Sequence, residues 1–77
     1  MSNTRFIFGF HAVTSRLRQN PESIKELFVD ETRSDQRIRG LIKLAEMHGI
    51  HLIPSDGSRL SNMTGNDRHQ GVVASID

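Results

Sequence analysis

Asn66-Asp67-Arg68-His69-Gln70-Gly71-Val72-Val73-Ala74-Ser75-Ile76 is the stretch on which the reading of this chain turns. A polar loop able to make many hydrogen bonds turns at Gly71 directly into an apolar run. Continuous apolar residues bounded by a turn signal read as a strand buried on both faces, since a half-exposed strand alternates with period two. A buried strand this close to Asp77 suggests a complete small domain from which a natural chain can run on through a linker. The loop ahead of the strand is built to hold something polar.

Working outward, three more strand-like runs precede it. Phe6-Ile7-Phe8 is closed by Gly9, Leu27-Phe28-Val29 is continuously apolar, and Ile50 to Ile53 is expected to be broken by Pro54. Helical segments lie between them. Phe10, Val13, Thr14 and Leu17 follow helical spacing, with Arg16 and Arg18 off the stripe and Pro21 beyond the end. Ile38, Leu41, Ile42 and Ala45 form the next stripe. Ser34 is its expected N-cap, Asp35 favours the positive end of the helix dipole, and Gly49 is the stop. Asp56 to Met63 reads as a short helix with Leu60 and Met63 on one face. Strands alternating with helices predict an α/β fold whose helices cover both faces of one sheet. Phe6, Phe8 and Phe28 are then expected in the core.

A chain of 77 residues makes one domain at most. With no cysteine, disulfides, thiolate metal sites and cysteine nucleophiles are excluded, and a reducing compartment is the easier home. No apolar run approaches the roughly 18 residues of a membrane span, so the expected setting is the cytoplasm, with no membrane partner. The net charge of +1 does not by itself point to nucleic acid. The kind of cation says more: eight of the ten are arginine, whose planar fork grips phosphate and stacks on bases.

Two glycine-flanked segments carry chemistry. Gly9-Phe10-His11 sits where the first strand meets the first helix, where free backbone N–H groups can bind an anion and Gly9 allows close approach. It reads equally as a turn glycine with a capping histidine, because every helix start has free amides. The loop Gly65 to Gly71 holds a cation, an imidazole and two amides, groups that read phosphates and the edges of unstacked bases in single-stranded RNA. The alternative is a tight loop whose His69 and Gln70 bond its own backbone. His48 and His51 straddle a helix end and a strand start with no other ligand nearby, so no metal site is implied. Nothing resembles a nucleophile elbow, a P-loop or a G-x-G-x-x-G turn, so neither catalysis nor a nucleotide cofactor is implied. With no Trp or Tyr, Phe10 is the only aromatic expected to be reachable.

Gly9-Phe10-His11-Ala12-Val13, Lys25-Glu26-Leu27-Phe28-Val29 and Asp67 to Ala74, in this order and at these separations, resemble the N-terminal substrate-binding domain of the SpoU family of RNA ribose 2'-O-methyltransferases. The likeness runs from about residue 5 to the end, and His69-Gln70-Gly71 is its most specific piece. It implies a three-layer α/β/α sandwich with a four-stranded mixed sheet, like that of small ribosomal and kink-turn RNA-binding proteins. The last strand would lie antiparallel to the others and beside the first. It further implies one RNA-substrate-binding domain over residues 1–77, without catalytic activity. In such proteins a linker follows, then a knotted catalytic domain that binds S-adenosylmethionine and forms a homodimer. The expected partners are ribosomal RNA and that catalytic domain, and the 77-residue chain alone is expected to be monomeric.

On this reading Arg16, Arg33 and Arg68 contact phosphate, while His11, His69 and Gln70 bond ribose or base. Gly9 and Gly71 let the backbone approach the strand, and Phe10 is expected to join the RNA-binding residues. The competing reading is a module that docks the catalytic domain or a ribosomal protein through its helix faces. A free-standing ribosomal-type protein is disfavoured, because such proteins carry a larger cationic excess.

Overall fold

The computed structural model describes residues 5–33, 35–65 and 68–76. β1 (Arg5–Phe8) leads through Gly9 into α1 (Phe10–Gln19), and a 3-10 turn at Pro21–Ser23 leads into β2 (Ile24–Asp30). Then come α2 (Gln36–Met47), β3 (His51–Ser55), α3 (Gly57–Thr64) and β4 (Val72–Ile76). The strand order is β1-β4-β2-β3, with β4 antiparallel to both its neighbours and β3 parallel to β2. The last strand therefore fills a central slot beside the first, as the resemblance implied.

Both faces of the sheet are covered, and the continuously apolar runs follow from that. Leu27, Val29, Val72, Ala74 and Ile76 point to one face, where they pack with Val13 and Leu17 of α1 and Ile38, Leu41 and Ala45 of α2. Phe28 and Val73 point to the other, against Leu60 of α3, with Phe8, Ile53 and Met63 at its margin. The result is the three-layer sandwich, two helices on one side and one on the other. Each fully buried aliphatic contributes roughly 1.5–3 kcal/mol relative to exposure, so the larger α1–α2 face holds most of the stabilisation.

Several local expectations need correction. Pro54 does not break the third strand: β3 runs on to Ser55. Ser55 turns its backbone toward β2, accepting from Glu31 N–H at 2.9 Å, so by alternation Pro54 faces the outer edge, where a missing N–H costs nothing. The N-cap of α2 is Asp35, whose Oδ1 accepts from Ile38 N–H at 3.0 Å, while Ser34 lies outside the described residues, as do Asn66, Asp67 and Asp77. β2 begins at Ile24, three residues before its apolar run. Phe6 is not core: on the edge strand it is 40% exposed.

Candidate nucleic-acid interface

β1, β2 and β3 all run in one direction, and a helix follows each within a few residues. One edge of the sheet thus collects three strand ends, the N-termini of α1, α2 and α3, and the start of β4. In open α/β sheets this carboxyl edge is where ligands bind. None of the three helices carries an acidic residue in its first turn. α2 and α3 instead place Arg37 and Arg59 there, against the helix dipole. The capping carboxylates bond the helix ends: Asp35 takes the N–H of Ile38 and Asp56 that of Arg59.

The His69-Gln70-Gly71 triplet assembles this edge. His69 O accepts from Val72 N–H at 3.1 Å, closing a tight turn whose central residues both have positive φ, +56° at Gln70 and +82° at Gly71. That pairing is the mark of a type I′ turn. His69 is buried, its Nδ1 accepts from Gly71 N–H at 2.9 Å, and its Nε2 lies 3.1 Å from Ser61 Oγ on α3. An Nδ1 that accepts places the proton of the neutral ring on Nε2, which then donates to Ser61. Gln70 Oε1 accepts from Phe10 N–H at 2.7 Å, supplying a cap to α1 where Gly9 has no side chain to offer. Gly71 O accepts from Asp30 N–H at 2.9 Å, extending the ladder to β2. A Cβ on Gly71 would meet Arg33 Cδ at 2.6 Å, so the arginine stem lies across the glycine.

Around that frame the sequence-expected residues divide. Gly9, Phe10, Arg33, Gln70 and Gly71 come together at the edge, with His11 beside Phe10, their rings 6.1 Å apart edge to face. Arg33 is half-exposed and reaches Asp35 at 3.2 Å, a weak surface pair that aims the guanidinium along the edge. Arg68 is exposed in the loop between α3 and β4. His69 sits behind the edge. Arg16 is not brought there: it lies in the last turn of α1 and donates to Ser23 Oγ at 3.2 Å, tying the 3-10 turn to the helix.

The sequence reading missed Arg37, whose guanidinium carbon lies 5.8 Å from the centre of the Phe10 ring. Phe10, Arg33, Asp35, Arg37, Ile38 and Gln70 enclose a small pocket of about 60 Å³. Arg37 stands one position before the first apolar residue of the α2 stripe, so its place on the edge follows once the strand directions are known. Asp30 was also missed. Its carboxyl is held below the usual carboxylate range, chiefly by the Thr32 hydroxyl at 2.6 Å, then by the Thr32 amide and the charge of Arg33, against an opposing effect of burial. Among the described residues there is no cluster of metal-ligating side chains, and no helix is long and apolar enough to cross a membrane.

Residues 6–77 match the family model described as RNA 2'-O ribose methyltransferase substrate binding. The chain belongs to that family. It is 54% identical over 76 residues to the 23S rRNA (guanosine-2'-O-)-methyltransferase RlmB of Nitrosomonas europaea, covering 99% of this chain and 29% of that protein. RlmB of Ralstonia nicotianae is 46% identical, and that of Neisseria meningitidis serogroup B 47% identical, each over all of this chain and 31% of the relative. The chain thus spans about 30% of the length of these curated relatives. The fold and the family agree with the resemblance carried by the glycine-flanked motifs.

Proposed function

We propose that residues 1–77 form the ribosomal-RNA-binding domain of an enzyme that methylates a guanosine ribose 2'-hydroxyl, using S-adenosylmethionine held by a catalytic domain outside this chain. The family match across residues 6–77 carries this reading, and the carboxyl edge supplies a physical means. Arg33, Arg37 and Arg68 meet phosphates, and the Gln70 amide nitrogen and His11 bond ribose or base. Phe10, with Arg37 over its ring, offers a stacking surface to an unpaired base. His69 acts from behind by fixing the turn. The chain alone transfers no methyl group and is monomeric. The complete enzyme is a cytoplasmic homodimer in which two such domains raise avidity.

Titration of the isotope-labelled chain with a ribosomal-RNA hairpin tests this by amide shifts at low salt. Shifts are expected at residues 9–11, 33–37 and 70–71. A titration with no shift at that edge overturns the reading and leaves the protein-docking alternative.

A further inference from the structure

We propose that bound RNA continues beyond the carboxyl edge into the groove between α1 and α2, where an unpaired stretch of the same strand lies along the helices. This rests on the RNA-binding reading above. The groove encloses about 420 Å³ and shares Phe10 and Arg37 with the small edge pocket, so a strand leaving the edge enters it without a break. Arg18, Arg37 and Lys43 stand along it, and no acidic side chain lines it. Arg18 and Lys43 have no carboxylate partner among the described residues. Its apolar surface comes from Phe10, Leu44 and Met47, the last 80% exposed. Cations flanking apolar and aromatic surface suit single-stranded nucleic acid, with phosphates on the cations and bases on the apolar floor.

Gly40 supplies the independent observation. It sits in the middle of α2, lines the groove, and has nothing within 4 Å of where a Cβ would stand. Its φ is not positive, so the local backbone does not require glycine. A glycine inside a helix is disfavoured relative to alanine, because its chain loses more freedom on folding. No described neighbour requires the missing side chain. The space it leaves is open to something that approaches the helix backbone from outside, and the charge of the walls says that visitor is anionic.

The test uses a fluorescein-labelled RNA hairpin with a long single-stranded loop, read by anisotropy at several salt concentrations. Gly40→Gln puts a good helix former into the groove, so the thermal midpoint is expected to hold or rise. Affinity is expected to fall roughly 5- to 150-fold, the equivalent of one lost base contact. Arg18→Gln with Lys43→Gln is expected to flatten the salt slope by about 1.4, from roughly 0.7 per phosphate. Arg33→Gln at the edge serves as the control. If Arg33→Gln weakens binding while the groove variants match the wild type, the groove inference is overturned and the edge reading stands. If the wild-type chain shows no binding at low salt, the edge reading falls and the groove with it. Should Gly40→Gln leave RNA binding intact but change the sedimentation coefficient, the groove holds a second copy of the chain and the inference is overturned.

Discussion

His69 separates a residue that reads RNA from one that builds the reader, and three substitutions resolve it. In His69→Ala the buried Gly71 N–H loses its acceptor at 2.9 Å and Ser61 loses its partner across the loop. An orphaned buried donor costs about 1–3 kcal/mol before any loss of packing is added. In a domain of this size each kcal/mol lowers the midpoint by roughly 4–8 °C, so His69→Ala is expected to melt at least about 4 °C lower. His69→Asn places its Oδ1 near the position of Nδ1 and recovers the Gly71 bond, while His69→Gln reaches toward Ser61 and does not. The expected order of stability is therefore wild type, then Asn, then Gln, then Ala. Circular-dichroism melts give the order, and anisotropy on the same samples gives RNA affinity scaled by the folded fraction. If His69→Ala keeps the wild-type midpoint but loses RNA preference, the imidazole reads RNA directly and the role argued for it is wrong.

Gly71→Ala forces a Cβ into φ +82° and onto the Arg33 stem, so it should lose about 1–2 kcal/mol and shift the guanidinium. Combining it with Arg33→Ala should leave only the backbone part, measured as non-additivity in paired melts. Leu41→Ala, at a fully packed site on α2, should cost about 2–5 kcal/mol, and a midpoint moved by under a degree would show the stripe was misassigned. Asp30, with its folded pKa depressed, lends stability that is complete above the ordinary value of 3.8 and is lost as pH falls through the lower folded value. Acid titration of Asp30→Asn should lack that loss. An unchanged acid profile in the variant would place the acid-sensitive group elsewhere.

The layers were legible because burial on both faces writes itself into sequence as unbroken apolar runs, and Val72-Val73-Ala74 is the plainest of them. The helical stripe at Ile38, Leu41 and Ala45 was legible for the same reason. Pro54 misled because its compatibility depends on which side of the strand is unpaired, a fact of the sheet rather than of the run. Phe6 misled because an edge strand buries less than its composition suggests. Arg16 stands apart from the edge, because off-stripe position on a helix does not say which end of the sheet that helix turn reaches. Arg37 stayed hidden until the direction of β2 was known, since that alone sets the first turn of α2 on the same edge as Gly9 and Gln70.

The most recognisable motif and the most exposed chemistry are therefore different sets of residues. His69, Gln70 and Gly71 spend their hydrogen-bonding groups on Gly71, Ser61, Phe10 and Asp30, fastening the loop to α3, α1 and β2 at once. Such a triplet is expected to tolerate little change, because each member satisfies a buried or helix-end group. The arginines of the edge are held by surface contacts instead, Arg33 by Asp35 and Arg37 by the Phe10 ring. Arg37 and Arg59 stand in first helical turns, where the dipole disfavours a cation, and on the proposed reading RNA phosphate joins the capping carboxylates as the anion that meets them. On that reading, the loop motif shapes the edge that RNA would meet, and the surrounding arginines supply the charge that would hold it.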